Sequence, residues 1–236
     1  MKEDLQPIPD FWKETPKPLP AEVGTNRISW NLRYENPPAN SHGYDISATP
    51  GLTPTTPEGP LVLPGVYTLT LTVDGKKFIQ KVTVKNDPRS PGSAADLRRQ
   101  HELQMLLYVG DIQATAGMKV MTEFKAKIAD LEKAKLSKGA SAALNEIDDK
   151  LDDLGKVTGR RLSFSGIQGQ TVTYLARMEF GDMGPSQPVH DAVTGIASDL
   201  KAIVKAWNDI QKKDVRALNE MLKKEGALTL SPAPLL

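Results

Sequence analysis

The 236-residue chain contains no cysteine and only three histidines. Without cysteine it can form no disulfide, thiolate nucleophile, cysteine zinc site or iron–sulfur cluster. The histidines, His42, His101 and His190, lie far apart in the sequence, and no Gly-x-Ser-x-Gly nucleophile motif accompanies them. The sequence therefore does not indicate Ser-His-Asp hydrolytic chemistry.

The chain also lacks an excess of charge and a long apolar run. Thirty basic residues face 29 acidic ones, for a net charge of +1, so neither nucleic acid nor an anionic membrane surface is indicated as a partner. No apolar stretch approaches the roughly 18 residues of a membrane span, and the first residues lack the apolar stretch of a secretion signal. We expect a soluble chain without a membrane span.

Proline is abundant but unevenly distributed. Twelve of the 18 prolines lie within residues 1–64, whereas 93–184 contains none. Because proline interrupts helices, this distribution permits long helices only in the second part of the chain. We place the domain boundary within 86–93 and interpret 1–20 as a proline-rich lead-in.

The first part has the spacing of β structure. Apolar and polar residues alternate over 26–34 (NRISWNLRY), which is typical of a strand with one buried face. A second alternating run, 67–73, precedes Asp74-Gly75, a strong signal for a type I′ hairpin turn. Few strands, a tight turn and many prolines predict a small all-β immunoglobulin-like sandwich over 21–89.

The second part begins with a long helix. Ser93 followed by Asp96 resembles a capping box. A heptad seam then runs through about forty proline-free residues, and the small residues in its middle would let another helix approach closely. The seam consists of Leu103, Leu107, Gly110, Ala114, Gly117, Met121, Phe124, Ile128 and Leu131.

Further apolar stripes predict the other helices. They run through 144–154, through 193–210 and through a terminal segment that ends at Gly226. Residues 170–180 fit a short helix, with a strand as the open alternative. We predict an α+β, two-domain protein: the sandwich, then an antiparallel three-helix bundle with a helical insertion over 93–226, and a tail at 227–236.

No cluster of side chains predicts a catalytic, cofactor-binding or metal site. The densest acidic group lacks the alternating loop ligands of an EF-hand and fits a solvated helix face; it consists of Asp148, Asp149, Asp152 and Asp153. The GIQG run at 166–169 lacks the lysine of a phosphate loop and fits a plain turn. Trp30, Tyr34 and Tyr67 could form a sugar platform, but their strand spacing favours the core.

Arginines alternate with the apolar positions of the first predicted strand. Arg27 and Arg33 should therefore emerge on its other face. They could bind an anionic sugar or carboxylates of a partner. We favour bracing of the 36–60 loop or the helical part, through backbone carbonyls and Asp87.

Three motifs in the β part occur in a recognisable order: a Gly-x-Asn-Arg-x-x-Trp strand, a Pro-Gly-x-Tyr strand and a closing Asp-Pro-Arg. This order resembles the C-terminal region of bacterial sortilin-like proteins with BNR/Asp-box repeats, many of them labelled glycosyl hydrolases. In that family a β-propeller precedes a β-sandwich and a helical region. The matching positions are Gly24, Asn26, Arg27, Trp30, Leu32, Arg33, Tyr34, Pro64, Gly65, Tyr67, Asp87, Pro88 and Arg89.

The resemblance implies a structural role for these motif residues. The chain has no counterpart of the propeller, and Asn31 stands where the family usually has aspartate. The expected function is a non-catalytic accessory module without a cofactor, which packs on or docks a β-propeller in a larger exported protein. That protein would be secreted or periplasmic, and the propeller would belong to the same parent chain or to another protein.

Two other functions stay open at this point. The first alternative is a carbohydrate-binding module of a glycoside hydrolase-like parent, with a glycan as its ligand. The less favoured one is an enzyme fragment with hydrolytic residues, because no carboxylate pair has a recognisable setting.

Overall fold

The computed structural model describes residues 8–15, 18–38, 46–154, 163–179 and 181–235. The chain divides into two compact units, Met1–Met105 with Ala176–Ser186, and Leu106–Leu175 with Gln187–Leu236. Among the described residues, every helix is too short or too polar to span a bilayer.

The regular β structure of the first unit is a hairpin. Strand β1 (Gly65–Val73) pairs antiparallel with β2 (Lys76–Val84) around a turn at Asp74 and Gly75. Both turn residues have positive φ, 48° and 77°, as a type I′ turn requires. The hairpin prediction is confirmed.

The prediction of an immunoglobulin-like β-sandwich is wrong. Within the described ranges the sheet has two strands, and helices predominate in the chain. Segment 26–34 forms no regular strand and joins β structure at one isolated bridge, between Arg33 and Leu61. Leu32 has a left-handed φ of 61°, which breaks the alternation that predicted a strand. A sandwich core needs two facing sheets, and one hairpin cannot supply them.

Helices account for most of the remaining chain. They are α1 (Ala94–Glu132), α2 (Lys138–Asp152), α3 (Phe164–Arg177), α4 (Gln187–Ile210) and α5 (Arg216–Lys224), with a π-helical turn (Gln211–Val215) before the last. The predicted capping box begins α1: Ser93 Oγ accepts from Asp96 N, and Asp96 Oδ2 accepts from Ser93 N, both at 3.1 Å. The helix predicted within 170–180 is α3, which begins earlier.

The heptad seam of α1 is buried as predicted. Each of its positions is buried except Met121, which is half-buried. In the second unit, a Cβ atom added to Gly117 would lie 2.6 Å from Cε1 of Phe164. The missing side chain therefore allows α3 to pack closely on α1, as the small seam residues indicated.

The core of the second unit collects the apolar stripes of its helices. The rings of Phe124 and Trp207 meet edge-on, with centroids 5.5 Å apart. Every stripe position predicted in α2 and in α4 is buried, and so is Leu154, which lies just after α2. The buried positions are Leu144, Ile147, Leu151, Leu154, Val193, Ile196, Leu200, Ile203, Trp207 and Ile210.

The end of the chain is docked on the second unit. Gly226, with φ of 64°, follows the end of α5. Asn219 then binds Leu230 twice, donating to its carbonyl at 2.7 Å and accepting from its N–H at 2.8 Å. Trp207 Nε1 donates to the carbonyl of Ala233 at 2.7 Å, and Leu230 is only 2% exposed.

Candidate functional site

One face of the hairpin is mainly apolar and open to solvent. Directly opposed residues of an antiparallel pair share a face, so the register places Leu69, Leu71, Val73 and Phe78 on the same side, together with Gln80 and Lys76. Each of the four apolar side chains is between 46% and 56% exposed. We call these four residues the apolar face of the hairpin.

The other face of the hairpin is mainly polar. It carries Val66 and Ile79 together with Thr68, Thr70, Thr72, Lys77, Lys81 and Thr83. Within the part of the chain that is described, neither outer edge of the hairpin pairs with a further strand. A two-stranded hairpin is marginally stable by itself and needs packing on a face or an edge.

The aromatic residues of the motif lie beside this hairpin. Trp30 packs edge-to-face on Tyr67, with ring centroids 5.5 Å apart and an interplanar angle of 67°. The Tyr67 hydroxyl donates to the Leu63 carbonyl at 2.6 Å. Trp30 and Tyr34 are 37% and 38% exposed, so both lie at the surface and not in the predicted core. The two rings of the edge-to-face pair form no flat platform.

Arg33 is the most connected residue of the motif. Its Nη1 donates to Glu179 Oε1 at 2.6 Å and to the Gly59 carbonyl at 3.0 Å, and its Nε lies 3.2 Å from Glu58 Oε1. Burial, the largest single cause, would lower the pKa of Arg33, but the hydrogen bond to Glu179 and the charges of Glu179 and Glu58 together outweigh it, so that the pKa is raised. Arg33 thus braces the loop before β1, although its partner is not Asp87.

The first residues of the motif form a turn. Gly24 has a φ of 116°, which favours glycine. Asn26 Nδ2 donates to the Glu22 carbonyl at 2.9 Å. Arg27 is exposed, and it makes no hydrogen bond or ion pair with a described residue. The two arginines of the predicted strand therefore differ in role.

The remaining motif residues flank the hairpin. Pro64 precedes β1, and Gly65 is its first residue. After β2, Arg89 binds both carboxylate oxygens of Asp87, at 3.0 and 2.7 Å, across Pro88. These hydrogen bonds lower the pKa of Asp87, so the Asp-Pro-Arg sequence forms a local turn.

A cavity of about 260 Å³ lies in the first unit, where the hairpin meets the start of α1. Its apolar lining comes from Leu32, Leu61, Val62, Leu63, Pro64, Val84 and Leu97. Its polar lining consists of Lys85, Asn86, Asp87, Gln100, His101, Gln104, Glu179 and Asp182. The sequence analysis did not predict this site, because its residues come from five distant segments.

His101 is a half-buried member of the cavity wall. Desolvation lowers its pKa, against an opposing hydrogen bond to the Leu61 backbone. Its Nδ1 is buried without a hydrogen-bond partner among the described residues. The imidazole ring also packs on Tyr34, with centroids 5.7 Å apart. His101 therefore supports the wall by packing.

The segment that carries Glu179 and Asp182 is fixed by three contacts. Gln100 Nε2 donates to the carbonyls of Met178 and, at 3.1 Å, Gly181. Arg33 holds Glu179, as described above. A Cβ atom on Gly92 would lie 2.1 Å from the Asp182 carbonyl oxygen, so only glycine permits this approach.

The other sequence candidates stay apart from this cavity. In the second unit, Lys125 contacts Asp152 and lies 3.4 Å from Asp148, which fits the predicted solvated acidic face. The 166–169 run lies inside α3, so the turn prediction is wrong. His190 pairs with Asp191 at 3.3 Å, and His42 lies outside the described residues. The described ranges hold no group of three or more His, Asp or Glu residues that could bind a metal ion.

A buried carboxyl group in the second unit was missed by the sequence analysis. Asp111 of α1 is 0% exposed, and its Oδ2 has no hydrogen-bond partner among the described residues. Thr171 Oγ1 lies 3.4 Å from its other oxygen. Desolvation raises the pKa of Asp111 to about 6, against weaker opposing contributions from Gln168 and Thr171. Its position next to the seam residue Gly110 is the only sequence signal for it.

Comparison with protein-family models, with curated proteins and with solved structures gives no match to this chain.

Proposed function

We propose that this chain is a non-catalytic accessory module that docks a β-propeller through the apolar face of its hairpin. The propeller belongs to the same exported parent chain or to another protein. This proposal combines the resemblance of the β motifs to sortilin-like proteins with the exposure of Leu69, Leu71, Val73 and Phe78.

The observation that carries the proposal is the asymmetry of the hairpin. One face is mainly apolar, with Lys76 and Gln80 as its polar members, and the other is rich in threonine and lysine. A hairpin solvated on both sides needs no such difference, whereas one that packs on a partner does. Contiguous exposed apolar residues with a polar surround are typical of interaction sites.

The energetics fit a docking surface. Fully burying a leucine or phenylalanine side chain stabilises by roughly 1.5–3 kcal/mol, and these side chains are about half exposed. Covering each one then contributes on the order of 1 kcal/mol. Four such residues give a few kcal/mol, part of which offsets the entropy of association.

The test uses the propeller that the parent gene encodes, produced separately and titrated into this chain by isothermal calorimetry. The double variant Leu71→Thr/Phe78→Thr removes the centre of the apolar face and keeps strand propensity. We expect it to bind at least tenfold more weakly. The matched control is Ile79→Thr, which changes a 62% exposed side chain on the opposite face.

Three outcomes would contradict the proposal. One is a double variant that binds as tightly as the wild type. Another is an equal loss in Ile79→Thr, which would show that the variants act by unfolding the hairpin. The third is that the parent gene encodes no Asp-box repeats and that this chain does not bind an Asp-box propeller from another protein.

A further inference from the structure

We propose that the cavity of the first unit binds a small organic ammonium ion, with its charged nitrogen at Asp182 and its alkyl body against the apolar wall. The inference does not depend on the proposed docking function, because the cavity and the apolar face use different residues.

The charges that line the cavity are predominantly acidic. Three carboxylates, Asp87, Glu179 and Asp182, face one ammonium group, that of Lys85. Two of them are already paired, since Arg89 binds Asp87 and Arg33 binds Glu179. Asp182 makes no hydrogen bond or ion pair with any residue that the structure describes. It is the carboxylate that can accept a ligand cation.

The backbone at Asp182 is held before any ligand arrives, while its side chain is exposed. Gln100, which is only 8% exposed, binds the carbonyls of Met178 and Gly181, which precede Asp182. Gly92 packs against the Asp182 carbonyl with no room for a side chain. A wall fixed in this way loses little conformational entropy on binding, which favours affinity.

The apolar lining of the cavity selects the body of the ligand. It is formed by leucine, valine and proline side chains, with Leu61, Pro64 and Val84 among them. A volume of about 260 Å³ corresponds to roughly nine water molecules at ~30 Å³ each. A straight-chain amine with four or five carbons fits this space and covers apolar surface.

The probes are n-butylammonium, 1-butanol and butyrate, which share a four-carbon body and differ in the charge of the head group. Binding is followed from backbone amide chemical shifts of the isotope-labelled chain. We expect saturable shifts at the lining residues with n-butylammonium and at least fivefold weaker binding of the other two. The ammonium affinity should fall with added salt.

Two variants with opposite expected effects complete the test. Asp182→Asn should weaken n-butylammonium binding at least fivefold, whereas Lys85→Met should strengthen it because a competing positive charge is removed. Asp74→Asn is the matched control, because it makes the same change at the hairpin turn. Asp74 is separated from Val84, the cavity residue at the end of β2, by roughly 30 Å of strand at ~3.3 Å per residue. Retained amide dispersion in each spectrum shows that the variants are folded.

The proposal fails if n-butylammonium produces no saturable shifts in the wild type. It also fails if 1-butanol binds as well, since the cavity would then be only apolar. Unchanged binding in Asp182→Asn, or an equal loss in Asp74→Asn, would place the cation elsewhere.

Discussion

Asp111 gives the sharpest prediction about stability. The side chain is fully buried in the second unit and one of its oxygens has no hydrogen-bond partner among the described residues. An ionised carboxylate is costly in such a place, because burial removes its hydration and no cationic side chain among the described residues offsets the loss. No charged group appears among the causes of its pKa shift, so burial alone dominates.

The sign of the pH dependence follows from linkage. The pKa of Asp111 is about 6 in the folded chain, against 3.8 for an unperturbed group. Between these values the folded state binds more protons than the unfolded state, so stability falls as the pH rises. The contribution is fully present below pH 3.8 and is lost above about pH 6. About two pKa units at 1.36 kcal/mol each give roughly 3 kcal/mol.

The perturbation is Asp111→Asn, which keeps the shape and removes the titrating group. Urea unfolding of the wild type and the variant is measured between pH 4 and pH 8 by tryptophan fluorescence, to which Trp207 of the same core contributes with Trp12 and Trp30. The free energy of unfolding of the wild type, relative to that of Asp111→Asn, should fall by about 3 kcal/mol over this range. Because other carboxyl groups titrate in both proteins, the difference isolates Asp111.

Asp130→Asn is the control for this experiment. Asp130 also lies on α1, but its side chain is 76% exposed, so the same comparison should show little pH dependence. A constant difference between Asp111→Asn and the wild type would refute the burial of an isolated carboxyl. A wild type that gains stability as the pH rises would show that Asp111 has a cationic partner.

Three further predictions test packing and bracing. Gly117→Ala should destabilise the chain by roughly 1–3 kcal/mol in urea unfolding, because the added methyl group overlaps the phenylalanine ring at the start of α3. The control Gly195→Ala, where an added Cβ meets nothing within 4 Å, should stabilise the chain by about 0.5–1 kcal/mol. Equal effects of the two substitutions would contradict the close packing at Gly117. Arg33→Lys should cost roughly 1–2 kcal/mol since it loses the planar fork, while Arg27→Lys should leave the melting temperature unchanged; a neutral Arg33→Lys would rule out bracing. Asn219→Ala should cost about 1–3 kcal/mol and speed proteolysis of the C-terminal tail, and a tail that stays protected would show that its apolar contacts suffice.

Local signals in the sequence predicted local structure well. Asp74 and Gly75 are adjacent, and their conformational preference alone specifies the hairpin turn. The α1 seam likewise repeats within one helix, so that its period identifies the buried positions without knowledge of the partner. The close approach at Gly117 followed from the same pattern, although the pattern did not identify α3 as the neighbour.

Non-local features could not be predicted in this way. Alternation over 26–34 indicated a buried face, but it does not specify which strands lie beside it or whether a second sheet exists. The left-handed φ of Leu32 has no signal in its residue type. Asp111 follows a seam glycine by one position, and the sequence does not show that α3 covers it. The cavity joins residues as distant as Leu32 and Asp182.

The irregular segments of both units are held by polar side chains that bind the backbone. In the first unit, Arg33 binds the carbonyl of Gly59 and Gln100 binds that of Gly181. In the second unit, Asn219 and Trp207 bind the tail in the same way. Segments without a hydrogen-bonded ladder must satisfy their buried backbone groups by other means, and amide, indole and guanidinium groups supply directional donors. An apolar replacement at these positions removes the donor and leaves a carbonyl unsatisfied, so its cost should exceed what the small contact area suggests.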